Sequence, residues 1–164
     1  MKCLVLYYSL SGNTKYVANE IARKLQADIL AIETVKEYPD DYDVLVGLGK
    51  REVESGCQPQ LKPFRIDYSK YDKIIIGSPV WWHSFAPAIK TLLSLSKEGM
   101  KGRSVYPFVT HDGYPGHVGS DFKRALKSVG YLGQLLTVKF EEKEKITPNI
   151  AITEWIKGIT WQDN

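Results

Sequence analysis

Three short stretches of the chain carry side chains suited to binding a ligand. The first stretch follows the apolar run Cys3 to Tyr8 and reads Ser9-Leu10-Ser11-Gly12-Asn13-Thr14. If a helix begins there, its free backbone N–H groups and its dipole favour an anion, and the hydroxyl groups add neutral donors. The same residue types also cap ordinary helices, so the stretch alone predicts either a phosphate cradle or a capped helix start.

The second stretch brings two adjacent indoles to the end of the most β-like segment of the chain, residues 73–77. It reads Ser78-Pro79-Val80-Trp81-Trp82-His83-Ser84-Phe85. Its proline, with Pro87 just beyond, predicts a surface loop, where two indoles are costly to leave in water. At least one of them is therefore expected to cover either a planar aromatic ligand or the core of the domain itself.

The third stretch combines an aromatic ring, two imidazoles and three prolyl or glycyl turn positions. It reads Thr110-His111-Asp112-Gly113-Tyr114-Pro115-Gly116-His117. Its glycines free backbone N–H groups for contact with a ligand. A turn in which His111 and Asp112 simply pair would explain the same residues.

The motifs of several other site classes are absent from the sequence. The first stretch lacks the Gly-Lys-Ser/Thr ending of a Walker loop and the three glycines of a dinucleotide fingerprint. It also lacks the Cys and Arg of a small phosphatase, and no nucleophile elbow occurs in the chain. The three histidines, His83, His111 and His117, are spread over two loops, so no metal site is predicted.

Five strand-like segments alternate with helical patterns and would position these stretches. The strands are predicted at 3–8, 28–33, 73–77, 104–109 and 135–140, and the helices at 17–25, 39–55, 86–95, 122–129 and 150–159. This order predicts one α/β domain over residues 1–164 with a parallel sheet. Ligands of doubly wound sheets bind beyond the carboxyl ends of the strands, where all three stretches fall.

The composition is that of an ordinary globular protein. The 164 residues include 43% hydrophobic and 25% charged residues, with a net charge of +3. Such a small excess gives no argument for nucleic acid, no segment is long enough to span a membrane, and two cysteines cannot form a disulfide framework. We expect a cytoplasmic protein with neither a nucleic acid nor a membrane as partner. The alternating charges from Lys139 to Lys145 predict a solvated strand end.

Taken together, the stretches resemble the flavodoxin family over essentially the whole chain. The resemblance is carried by Tyr7-Tyr8-Ser9-Leu10-Ser11-Gly12-Asn13-Thr14, by Gly77-Ser78-Pro79-Val80-Trp81-Trp82 and, more loosely, by the third stretch. It implies a flavodoxin-like, doubly wound, five-stranded parallel sheet in the order 2-1-3-4-5, with helices on both faces and one bound FMN. His111-Asp112 departs from the family pattern, in which small residues are more usual.

The resemblance also assigns a role to each stretch. By position, the first stretch would hold the phosphate of FMN, the second would lie along the isoalloxazine from Ser78 to His83, and Thr110 to Tyr114 would cover its other side. The function implied is electron transfer between a reductase and an acceptor protein, by a monomer or weak dimer. The alternative is an FMN-dependent NAD(P)H:quinone-type oxidoreductase on the same fold.

Overall fold

The computed structural model describes residues 1–161, so the last three residues of the predicted domain lie outside the described part. Eight strands occur in it. They are β1 (Cys3–Tyr7), β2 (Asp28–Ala31), β3 (Lys73–Trp81), β4 (Ser84–Phe85), β5 (Ser104–His111), β6 (Tyr131–Leu132), β7 (Leu136–Glu141) and β8 (Glu144–Lys145).

Six α-helices and one short 3-10 turn (Tyr68–Lys70) connect these strands. The helices are α1 (Asn13–Leu25), α2 (Tyr42–Ser55), α3 (Pro87–Leu95), α4 (Lys97–Met100), α5 (Val118–Ala125) and α6 (Asn149–Trp161). Within residues 1–161, no helix combines the length and the apolar character that crossing a membrane requires.

The five longer strands form a parallel sheet in the order β2-β1-β3-β5-β7. This order is the predicted 2-1-3-4-5 arrangement, and the flavodoxin-like fold is thereby confirmed. The three short strands are additions to it. β4 and β8 fold back antiparallel on β3 and β7, and β6 extends the parallel pairing of β5.

Helices cover both faces of the sheet because the central strands are apolar on both sides. One face packs against α1 and α6 through Val17, Ile21 and Ile152. The other face packs against α3 and α5 through residues such as Ile89 and Phe122. The loops that join strands to helices therefore lie at the two ends of the strands.

Three predicted boundaries differ from the structure in ways that bear on the site. The helix expected to start at Pro39 begins at Tyr42, because the carboxylate of Asp41 accepts the N–H of Val44 as an N-cap. The helix expected at 122–129 begins earlier, at Val118, and ends at Ala125. The second stretch is not a loop: β3 continues to Trp81, and the chain turns back into β4.

Candidate functional site

The first stretch forms the turn between β1 and the N-terminus of α1. Gly12 adopts a φ of 101°, in the left-handed region that favours glycine, and α1 begins at the next residue. Among the described residues, the backbone N–H groups of Ser11, Asn13 and Thr14 donate no hydrogen bond to protein acceptors. These free donors lie at the positive end of a 13-residue helix, an arrangement suited to binding an anion.

Two hydroxyl groups of the first stretch serve the turn itself. The Ser9 hydroxyl oxygen accepts the N–H groups of Gly12 and Lys15, each at 3.2 Å, and so satisfies two donors at the start of α1. The buried hydroxyl of Thr14 lies 2.7 Å from that of Thr110 at the end of β5. This contact ties the first stretch to the third.

The β7–β8 hairpin, for which the sequence predicted no role in a site, contacts the first stretch. The amide nitrogen of Asn13 donates to the carbonyl of Glu142 at 2.8 Å, and the ammonium of Lys143 donates to the carbonyl of Ser11. Both partners lie in the turn between β7 and β8. The run Lys139 to Lys145, predicted to be a solvated strand end, therefore includes a cation at the candidate anion site.

The β3–β4 turn holds its two central residues in an unusual backbone conformation. Trp82 and His83 have φ values of 46° and 67°, the pattern of a two-residue hairpin turn in which both central residues are left-handed. Asn-Gly pairs normally occupy such turns, and a larger side chain there costs about 1–3 kcal/mol. An indole and an imidazole are thus presented at the sheet edge in spite of backbone strain.

Trp81 is half-buried and packs among aromatic rings. Its ring packs edge-on against Tyr8 at 6.0 Å and Tyr38 at 5.0 Å between centroids. The Tyr38 hydroxyl donates to Glu52 of α2 at 2.6 Å. Burial raises the pKa of both tyrosines above the usual value, and the Glu52 carboxylate adds to the effect. Both phenols therefore stay protonated hydrogen-bond donors across the physiological range.

The Trp82 indole packs against α2. Its indole nitrogen donates to the carbonyl of Val46 at 3.2 Å, and Lys50 lies 5.2 Å from the ring centroid. An added Cβ on Gly49 would stand 3.4 Å from the Trp81 ring. The glycine therefore lets α2 approach both indoles closely.

The third stretch begins inside β5 and then leaves the sheet. Thr110 is buried, His111 is the last residue of the strand, and Asp112 and Gly113 are exposed. The N–H of Gly113 donates to Nδ1 of His111 at 3.2 Å, so a backbone amide rather than Asp112 takes that ring nitrogen. Burial lowers the pKa of His111, and the nearby Asp112 carboxylate opposes that shift.

The second and third stretches dock on each other through His83. Its ring packs against Tyr114, which is 69% exposed, at 5.3 Å between centroids. Its carbonyl accepts the N–H of His117 at 2.9 Å. Gly116 adopts a φ of 63°, and a Cβ there would lie 2.3 Å from the Cβ of His83. Only glycine permits this approach.

Asp121 of α5 contacts both the second and the third stretch. Its Oδ2 atom accepts the Ser84 hydroxyl at 2.6 Å and lies 2.7 Å from Nδ1 of His117. Its other oxygen lies 3.3 Å from a guanidinium nitrogen of Arg124. A single, largely buried carboxylate thus orients a hydroxyl of β4 and an imidazole at the start of α5.

The three predicted stretches therefore come together at the carboxyl edge of the sheet. The residues placed there are Ser9, Leu10, Ser11, Gly12, Asn13, Thr14, Ser78, Pro79, Val80, Trp81, Trp82, His83, Thr110, His111, Asp112, Gly113 and Tyr114. Sequence reasoning missed Lys143, Tyr38 and Asp121 as contributors to this edge, and none of the three carries a local signal. Gly116 lay within the predicted third stretch, but its close approach to His83 was not predicted.

The sequence model described as Flavodoxin matches residues 2–156. The chain belongs to the flavodoxin family. Among curated proteins, no significant match was found.

Solved structures from other organisms share this flavodoxin fold. A flavoprotein from Lactobacillus acidophilus NCFM, crystallised with FMN, is 28% identical, with 83% of this chain and 92% of that chain covered and a TM-score of 0.74. A protein from Bacteroides eggerthii, described provisionally as a flavoprotein, is 22% identical over 97% and 98% of the two chains, with a TM-score of 0.80. The two-electron reduced flavodoxin of Megasphaera elsdenii is 16% identical over 94% and 96%, with a TM-score of 0.62.

Proposed function

We propose that this flavodoxin-family chain binds FMN at the carboxyl edge of its sheet and acts in electron transfer. The observation that carries the proposal is the first stretch, where three backbone N–H groups at the N-terminus of α1 have no acceptor among the described residues. Such a site suits a phosphate group. The aromatic and imidazole side chains needed beside a planar ring lie at the same edge. The flavin, when bound, supplies the redox chemistry.

The residues of the chain divide the binding task by their chemistry. The amides of Ser11, Asn13 and Thr14 would donate to the phosphate, and Gly12 removes the side chain that would obstruct it. The β3–β4 hairpin would lie along one side of the ring system. The strand end and turn from Thr110 to Tyr114 would border the other side, where the exposed amide-rich turn offers donors and acceptors to polar ring edges.

Support for FMN also comes from the family and from the FMN complex of the Lactobacillus flavoprotein. The decisive experiment is titration of the apoprotein with FMN, followed by absorption and by quenching of flavin fluorescence. We expect saturable uptake with one FMN per chain. Uptake that fails under native conditions would overturn the proposal.

A matched pair of glycine variants locates the site. Gly12→Ala places a side chain at a φ of 101° inside the first stretch, so we expect FMN affinity to fall at least about tenfold. Gly158→Ala adds the same methyl group to α6, where nothing lies within 4 Å of it. FMN affinity in this control should match that of the wild type.

The proposed partners are a reductase and an acceptor protein that approach this edge. The net charge of +3 provides little general attraction for a basic partner surface. The charge of Arg103 is engaged within the protein, because its guanidinium donates to the carbonyls of Gly99 and Tyr71. Partner choice therefore depends on the local charges near the edge, with Lys50, Lys123 and Arg124 on the surrounding helices.

One observation favours the oxidoreductase alternative. Three side chains at the edge, His83, Tyr114 and His117, remain exposed, and Asp121 holds the His117 ring in a fixed orientation. A fixed imidazole beside an open site is suited to proton transfer to a small substrate. Rapid bleaching of the bound flavin by NADPH, without an added reductase, would favour this function over that of a carrier.

A further inference from the structure

The β7–β8 hairpin reaches across to the first stretch and is fastened to it at two points. Asn13 donates its side-chain amide to the Glu142 carbonyl at 2.8 Å, and Lys143 donates its ammonium to the Ser11 carbonyl. Glu142 has a φ of 52°, so the turn is bent at the residue before the lysine. The hairpin thereby places the Lys143 ammonium beside the carbonyl of Ser11.

Lys143 differs from the two other lysines of this hairpin. Lys139 pairs with Glu141 at 3.2 Å, and Lys145 pairs with Glu20 of α1 at 3.3 Å. Within residues 1–161, no carboxylate lies within ion-pair distance of Lys143. An ammonium has three N–H donors, and its contact with the Ser11 carbonyl uses one of them. Two donors and a full positive charge remain for another ligand.

The position of this charge matches the candidate phosphate site. A Cβ added to Gly12 would lie 3.9 Å from the Lys143 nitrogen, and apart from Gly12 and its two chain neighbours no other described residue has an atom within 4 Å of that point. The free amides of Ser11 and Asn13 flank the same glycine. The ammonium and the amides therefore all lie next to Gly12.

Several carboxylates flank Lys143, so its positive charge decides the balance of charge on the hairpin. Three glutamates, Glu141, Glu142 and Glu144, flank Lys143 on the hairpin, and only the first has a basic partner among the described residues. Without Lys143, the hairpin that closes on the phosphate site would bring negative charge towards it. A dianion would then be repelled by the element that covers it.

We infer that Lys143 is the cationic partner of the FMN phosphate and makes this site selective for the phosphorylated flavin. The inference rests on the proposed function and adds a charged group to a site that otherwise consists of neutral donors. Charge-assisted hydrogen bonds are roughly twice as strong as neutral ones. Because the pair is near the surface, salt weakens it. FMN affinity should therefore depend on Lys143 and on ionic strength, whereas riboflavin affinity should not.

The test compares FMN and riboflavin binding to the full chain. Dissociation constants are measured by flavin fluorescence quenching at low and high sodium chloride for the wild type, Lys143→Gln, Lys143→Arg and Lys24→Gln. The last variant removes the same charge from the far end of α1, roughly 16 Å along the helix axis. Thermal denaturation of the apoproteins establishes that each variant is folded.

We expect Lys143→Gln to bind FMN about tenfold more weakly at low salt and to lose most of its salt dependence. Its riboflavin affinity should stay within about twofold of the wild type. Lys143→Arg should retain FMN binding, and Lys24→Gln should behave as the wild type. Equal losses for both flavins would show a merely structural role and overturn the inference, as would unchanged FMN binding. A wild-type protein that binds neither flavin would instead overturn the proposed function, and the inference with it.

Discussion

The backbone N–H of His117 donates a 2.9 Å hydrogen bond to the carbonyl of His83, and this bond joins two loops that lie 34 residues apart in the chain. His83 stands in the turn of the β3–β4 hairpin, and His117 immediately precedes α5. The residue before His117 is Gly116, which contacts the backbone of His83. The β3–β4 turn and the segment that precedes α5, which border the candidate flavin site, are thus in direct contact with each other.

Replacing Gly116 with alanine should push these two segments apart. The added methyl group would lie 2.3 Å from the Cβ of His83, at a φ of 63° that L residues rarely adopt. We expect Gly116→Ala to lower the free energy of unfolding by about 1–3 kcal/mol and to weaken FMN binding. Chemical denaturation and FMN titration measure both effects.

Gly113→Ala provides the comparison for stability within the same stretch. No atom lies within 4 Å of the position of its Cβ, and its φ is outside the left-handed region. Its free energy of unfolding should stay within about 0.5 kcal/mol of the wild type. If Gly116→Ala were equally well tolerated, the two loops would not be held by close contact.

Because the turn is strained at His83, a glycine there should be more stable than an alanine. At a φ of 67°, glycine avoids the steric cost that a side chain with a Cβ incurs. We expect His83→Gly to be about 1 kcal/mol more stable than His83→Ala, which lacks the imidazole but keeps the strain. Both variants lose the ring contact with Tyr114, so urea denaturation of this pair isolates the backbone term. Equal stability of the two would contradict the assignment of strain.

The sequence allowed the strands and the placement of the three stretches to be predicted, because apolar runs are local signals and ligands of doubly wound sheets bind beyond the carboxyl ends of the strands. The sheet order followed from the resemblance to the flavodoxin family. The apolar run ending at Tyr8 and the segment 73–77 both became central parallel strands. The extension of β3 to Trp81 was missed because it depends on pairing with other strands, which a proline-containing segment does not suggest. Ser78 and Pro79 pair parallel with β5, and Val80 and Trp81 pair antiparallel with β4.

The contacts between distant parts of the chain were beyond such reasoning. Lys143 lies 132 residues from Ser11, and nothing in an alternating charge run distinguishes the lysine that reaches another loop. Tyr38 and Gly49 are similar cases, because their role is to pack against Trp81 of β3. Each side chain has an ordinary type, and only the tertiary fold gives it a place at the site.

Asp121 should contribute to stability because its carboxylate contacts three side chains, those of Ser84, His117 and Arg124. Asp121→Asn leaves a side chain that cannot accept from Ser84 and His117 as a carboxylate does, and it removes the ion pair with Arg124. We expect a loss of about 1–2 kcal/mol in the free energy of unfolding. Asp112→Asn is the matched control, since Asp112 is exposed and has no hydrogen bond or ion pair within residues 1–161. Its stability should change little, and a similar loss in both variants would contradict the role of Asp121.

His111 should make the apoprotein less stable in mild acid. Burial lowers the pKa of His111 in the folded protein, while the Asp112 carboxylate opposes the shift and Lys139 adds to it. The folded state therefore binds this proton less tightly than the unfolded chain, whose histidine pKa is about 6.5. Stability from this group is complete above that value and is lost as the pH falls through the lower folded pKa.

Two variants and one spectroscopic measurement check this sign. His111→Gln cannot titrate, so its free energy of unfolding should fall less than that of the wild type between about pH 7 and pH 5. In NMR titrations of the folded apoprotein, the His111 ring should have its midpoint below the ordinary value. Asp112→Asn should move that midpoint lower still, because it removes the carboxylate that favours the protonated ring. A midpoint at or above the ordinary histidine value would show that burial does not govern this imidazole.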